Sequence, residues 1–314
     1  MTPLILALAL AVQPAVAADS LFSSVVVRPN QSASWIAIRY LGAFSPAIRD
    51  TMKMDNPSIA DLDRLKGGET LRLRRSMDRR KLPAERQIEL ASRQAVVTAI
   101  RGQGDLRRAD GSTVPLSSNL FLSTGDEVRI GAGSSAELII DNQSVLRLRE
   151  NSRLRIFGIQ DEALANGRKA GTRVALDVGS LWVKVRTWAG PLVGFEVRLP
   201  TVIAGVHGTI FETTAGADSS QSVSVFEGVV GVRSLLDETR EIKVTQGQSV
   251  TTRPGATLAA PPEASRKMPI PSFKDEFQDP DSSVDIQNPP VESRRIDRKP
   301  PRPIKPRSRI ESTH

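Results

Sequence analysis

Apolar and polar positions alternate through the middle of the chain in short runs separated by Gly, Asp, Asn and Ser. A period of two is the signature of half-buried strands, and runs this short, evenly spaced and free of long helical periods predict an all-β unit. The expected strands are Val96 to Ile100, Gly104 to Arg107, Glu127 to Ile130, Glu137 to Ile140, Val145 to Leu148, Arg153 to Phe157 and Arg173 to Leu176. Leu181 to Arg186, Phe195 to Leu199, Thr209 to Thr213, Val223 to Val225, Val229 to Val232, Ile242 to Val244 and Ser249 to Thr251 continue the series. Asp110-Gly111, Gly125-Asp126, Asp141-Asn142 and Glu150-Asn151 supply turn chemistry between them. A sandwich, a jelly roll or a short solenoid satisfies this pattern. The unit is placed at 95–253.

The pattern before it differs. Val25 to Val27 reads as a strand followed by a turn at Pro29-Asn30. Ser34 to Leu41 has apolar residues at helical spacing after a capping Ser, and a second helix is expected from Ser45 to Met54, with Pro46 suited to its first position. It stops before Asn56-Pro57, and Leu65 to Leu73 supplies a turn and a closing strand. The order strand, helix, helix, strand makes a compact βααβ unit at 18–75.

The remaining segments have no core of their own. Leu4 to Val12 is apolar but far shorter than the roughly 20 residues a bilayer crossing needs, and Ala15-Val16-Ala17 follows it, so 1–17 is expected to be a cleaved secretory signal. This places the mature chain in the periplasm or cell envelope. Arg74-Arg75 lead into a charged linker at 76–94 that carries Arg79-Arg80-Lys81. From 254 to 314 recurrent prolines and few apolar residues predict a disordered tail, with acids around Asp275 to Asp285 and cations from Arg294 to Arg309.

Two resemblances attach to these patterns. Leu122-Ser123-Thr124-Gly125-Asp126-Glu127-Val128-Arg129, Gly179-Ser180-Leu181-Trp182-Val183-Lys184-Val185, Ala204 to Phe211 and Val225 to Val232 resemble the FecR domain, an extracytoplasmic β-rich module known from iron-uptake signalling proteins. Arg28-Pro29-Asn30-Gln31-Ser32, Trp35-Ile36-Ala37 and the segments Met52 to Pro57 and Leu65 to Leu73 resemble a LysM domain of the long-loop kind found in FimV-type envelope proteins. That second resemblance implies binding to N-acetylglucosamine polymers such as peptidoglycan. Its groove would be built by Pro29, Asn30, Gln31, Ser32 and Ala33 with the loop before Leu65.

Composition narrows the chemistry. There is no cysteine, and the two histidines are His207 and His314, so thiol catalysis, cysteine metal sites and histidine clusters are not expected. His207 and the acids Asp126, Asp141 and Glu227 read as turn residues. No general acid and base pair stands out, and neither a metal nor a cofactor is expected. The net charge is +8 with an isoelectric point near 10.2. Export and the scarcity of aromatic rings argue against nucleic acid as the partner. Arg147 and Arg149, Arg153 and Arg155, and Lys184 and Arg186 each alternate with apolar neighbours, which puts them on the polar face of their strands. They are either an anion-attracting surface or the water-facing side of a half-buried sheet.

The expectation that follows is a non-catalytic envelope binding protein, with the βααβ unit holding peptidoglycan and the β domain serving as an interaction or sensor platform for an envelope protein partner. The FecR resemblance also implies a periplasmic regulator that receives a signal and controls a sigma factor, although the cytoplasmic helical segment and spanning helix of such regulators are not seen in the sequence. An enzyme acting on peptidoglycan is the remaining alternative.

Overall fold

The computed structural model describes residues 21–79, 95–140, 144–159, 162–163, 169–185, 194–206, 208–237, 239, 241–254, 258 and 263–264. The expected signal at 1–17, linker residues 80–94, the Asp141-Asn142 turn, Arg186, His207, His314 and the tail beyond 264 lie outside the described residues.

The N-terminal unit contains β1 (Phe22–Val26), α1 (Ala33–Leu41), α2 (Pro46–Asp55) and β2 (Thr70–Arg74). Ser32 caps α1, its hydroxyl accepting from the Trp35 N–H at 3.1 Å, and Gly42 ends the helix in the left-handed region at φ 77°. Ser45 caps α2 in the same manner, and Pro46 occupies the first turn, where a missing N–H costs nothing. β1 and β2 pair antiparallel from Phe22↔Arg74 to Val26↔Thr70. The Asn56 side chain then ties the end of α2 to β2, donating to the Met52 and Arg72 carbonyls and accepting from the Arg72 N–H at 2.7 Å. Ile36, Ile38, Phe44, Met52, Leu71 and Leu73 fill the space between helices and strands.

Strand then follows strand: β3 (Ala95–Arg101), β4 (Gly104–Arg107), β5 (Thr113–Pro115), β6 (Phe121–Leu122), β7 (Glu127–Ile130), β8 (Ser135–Ile140), β9 (Ser144–Leu148) and β10 (Arg153–Gly158). A small hairpin of β11 (Glu162–Ala163) and β12 (Lys169–Ala170) precedes the long β13 (Thr172–Lys184). After it come β14 (Phe195–Arg198), β15 (Val202–Val206), β16 (Ile210–Ala215), β17 (Gln221–Glu227), β18 (Val229–Ser234), β19 (Glu241–Thr245), β20 (Gln248–Thr252) and β21 (Glu263–Ala264).

One curled sheet closes into two facing layers that share β13. The front layer runs β6, β3, β8, β9, β13, β16, β17, β20, β21, and the back layer runs β5, β4, β7, β10, β13, β14, β15, β18, β19. All these pairings are antiparallel except β13 with β14. The architecture is therefore mainly β, as expected, with the curled sheet packed on itself as a two-layered sandwich. Leu138, Leu146, Val183 and Phe211 from the front meet Leu106, Leu154, Val197 and Val232 from the back in one apolar core.

The sequence pattern splits β13 into two strands, whereas the chain runs through as one strand of 13 residues that changes sheet midway. Its first half pairs with β10 and its second with β9 and β16. Gly179 stands at the change with φ 103°. A Cβ there would lie 2.4 Å from the Ser152 Cα, so both the backbone and the close approach require glycine. Ser152 secures the bend by accepting from the Ser180 N–H at 3.0 Å.

Candidate functional site

The βααβ unit is seated on the outer face of the front layer. Its apolar residues form one cluster with Val96, Ile139, Val145, Trp182, Ile210 and Phe226, all of which point away from the sandwich core. Phe44 and Phe121 stack with ring centroids 5.3 Å apart. Polar contacts fix the register of this seam. The Ser32 hydroxyl donates to the Thr98 carbonyl at 2.6 Å, and the Asn119 Oδ1 accepts from the Ser34 N–H at 2.7 Å. From the other end of its amide, Asn119 donates to the Leu62 carbonyl at 3.2 Å and to the Asp63 carboxylate at 3.1 Å. Asn119 itself is buried and holds a left-handed φ of 67°, a conformation that Asn tolerates better than most residues.

This seam changes the reading of the glycan candidates. Pro29 and Asn30 are exposed and Gln31 is half-buried, its side chain accepting from the Arg28 N–H at 2.9 Å. Ser32 and Ala33 are buried and do not line an open groove, because Ser32 caps α1 and spends its own proton on β3. Asn119 of the β domain bridges Ser34, the residue after 29–33, to Leu62, just before the second loop named for the groove. Trp35 is half-buried at the edge of the shared cluster, with the Arg39 guanidinium 5.7 Å from its ring centroid.

The candidate cations divide between the two layers. Arg147 is a correction: it belongs to no surface, being 1% exposed and paired with Glu137 at 2.9 Å. Alternation placed it opposite Leu146 and Leu148 correctly, but that opposite face is covered by a second layer of protein, not by water. Its guanidinium also lies 5.0 Å from the Trp182 ring centroid. Register lines up Glu137, Arg147, Trp182 and Glu212 on four neighbouring strands. Further along that face Arg149 is half-buried and 3.7 Å from Glu212, and Lys184 is half-buried as well.

Arg153 and Arg155 are exposed on the outer face of the back layer, where among the described residues no second layer covers them. Asp177 accepts from Arg155 at 2.6 Å and raises its guanidinium pKa further above the ordinary value. Sequence reasoning missed the residues that share this face, Arg107, Arg129, Arg198 and Arg233; the first three sit at the polar phase of an expected strand, and Arg233 lies one residue past the expected end of Val229 to Val232. Of the turn acids, Asp126 is buried and accepts from Arg108 and the Ser123 and Ala109 N–H groups, which makes it a structural turn residue.

Compared with known proteins, residues 126–231 match the family model described as FecR protein. That span runs from the start of β7 into β18 and so contributes strands to both layers. Two crystal structures of a candidate anti-sigma factor from Parabacteroides distasonis ATCC 8503, at 1.65 and 2.50 Å resolution, are similar at 17% and 18% identity with TM-scores of 0.34 and 0.33. Each alignment covers 41% of this chain and 55% of the other, so this chain spans about half the length of those structures. No curated protein matches. No helix among the described residues is long and apolar enough to cross a membrane.

Proposed function

We propose that the chain is an exported, non-catalytic regulator of the FecR type, in which the β domain senses an envelope protein partner and the signal reaches a sigma-factor pathway. The observation that carries this reading is the FecR match at 126–231, which lies within the sandwich and apart from the βααβ unit. The seam supports it as well. With Ser32 and Ala33 buried and Asn119 joining Ser34 to Leu62, the βααβ unit acts as a fixed cap on the front layer, and the open charged face is left to the back layer. Peptidoglycan binding through Pro29 and Asn30 is the competing reading, favoured by their exposure.

RNA sequencing of the native host with the chain deleted, then restored, separates the two. The regulator reading expects a defined set of promoters to change and to recover on restoration. Unchanged transcripts, together with sedimentation of the purified chain on peptidoglycan, would replace it with the wall-binding reading.

A further inference from the structure

The outer face of the back layer carries a row of arginines with a regular spacing. Cross-strand register places Arg107, Glu127, Arg155, Ala175, Arg198, Ile203, Arg233 and Glu241 in line across eight neighbouring strands. Arginine occurs on every second strand. With strands about 4.8 Å apart, successive arginines stand about 9.6 Å from one another. All four share one face, because partners in register project to the same side of a sheet. Arg107 and Arg198 are exposed and make no ion pair among the described residues. Arg155 holds Asp177, and Arg233 holds Glu196 at 2.9 Å with Glu241 at 3.9 Å, yet a guanidinium has five donors and these contacts leave some of them over.

We propose that this row is a docking surface for a protein partner that presents an extended polyproline II segment with an acidic residue at every third position. The polyproline II helix has three residues per turn and a rise of about 3.1 Å, so acids at i, i+3, i+6 and i+9 lie along one edge about 9.3 Å apart. That repeat matches the arginine spacing, and each pair can form charge-assisted hydrogen bonds of carboxylate to guanidinium. A densely charged polyanion fits less well. Its intervening charges would fall on the intermediate strands, where Glu127 and Glu241 repel them and Ala175 and Ile203 offer no donor. The mixed sign of the row therefore selects for spaced acids over continuous ones.

The proposal rests on the reading of the β domain as the interacting part and names the chemistry of its partner. Its test is a titration of the full mature chain with a synthetic peptide of four Glu-Pro-Pro repeats, followed by NMR or fluorescence anisotropy. A block isomer of identical composition, polyglutamate and polygalacturonate serve as the other probes. The spaced peptide is expected to bind about tenfold tighter than the block isomer, and the double variant R107E/R198E to lose about tenfold or more in affinity. Neither arginine has an ion-pair partner among the described residues, so the variant removes no internal pairing; circular dichroism verifies its fold. R28E, on the exposed loop of the βααβ unit, is expected to bind as the parent does. Equal binding of the two isomers, tighter binding of polyglutamate or polygalacturonate, or no binding of the spaced peptide would overturn the proposal. Such a failure is separable from failure of the regulator reading, because the transcript measurement does not depend on any of these peptides.

Discussion

Glu137 accepts a hydrogen bond from Arg147 at 2.9 Å beneath the βααβ unit, with both side chains at least 98% shielded from solvent. The Thr98 hydroxyl donates to the other Glu137 oxygen at 2.9 Å, and the indole of Trp182 lies against the guanidinium. Removing one partner leaves an uncompensated buried charge, so R147M and E137Q are each expected to destabilise by about 3–5 kcal/mol. The double variant R147M/E137L is expected to lose far less than the sum. Urea unfolding of the four proteins in a double-mutant cycle measures this coupling.

Asn119 is expected to control the seam more than the sandwich. N119A leaves the buried Ser34 N–H without its acceptor, a loss of about 1–3 kcal/mol. Hydrogen exchange should accelerate at Ser34 and across α1, while protection in β13 and β16 stays as in the parent. Equal acceleration throughout would mean that seam and sandwich unfold together.

At Gly179 the outcome is set by backbone geometry. G179A forces a side chain into φ 103° and against Ser152, and about 2 kcal/mol or more of destabilisation is expected. Because β13 builds both layers, loss of the bend should lower the thermal midpoint of the whole β domain in one transition. Differential scanning calorimetry reads it.

Acid should weaken the turn at Asp218. The Ser220 hydroxyl and N–H both donate to its Oδ1, at 2.6 and 3.0 Å, and hold its carboxyl pKa below the ordinary value. A depressed folded pKa contributes stability that is present above the unfolded value of about 3.9 and is lost as the pH falls through the folded one. Asp110, held low by Ser112, behaves alike. The D110N/D218N variant is expected to show a shallower fall of thermal midpoint below pH 4 than the parent.

The strands were legible because each buries one face and wets the other, which writes a period of two into segments such as Arg153 to Phe157. The two helix caps were legible from short polar residues ahead of apolar runs, although the cap of α1 is Ser32, two residues before the expected helix start. What alternation could not state is whether the opposite face meets water or protein. Arg147 shows the consequence. A signal did exist, since Leu138-Ile139-Ile140 is a continuous apolar run, and such a run indicates a strand buried on both faces. The Asn119 bridge had no sequence signature, because its partners Ser34 and Leu62 lie 85 and 57 residues away.

The account depends most on the βααβ unit being held rigidly over the front layer, leaving the back layer as the open face. The chain has no cysteine, so spin labels at two introduced ones, D50C on α2 and T245C on β19, report only the distance between them. Double electron–electron resonance on the full chain should give a single narrow distance distribution in the parent background and a broad one with N119A. A broad distribution in the parent background would show that the unit is tethered and not docked, and would contradict the account.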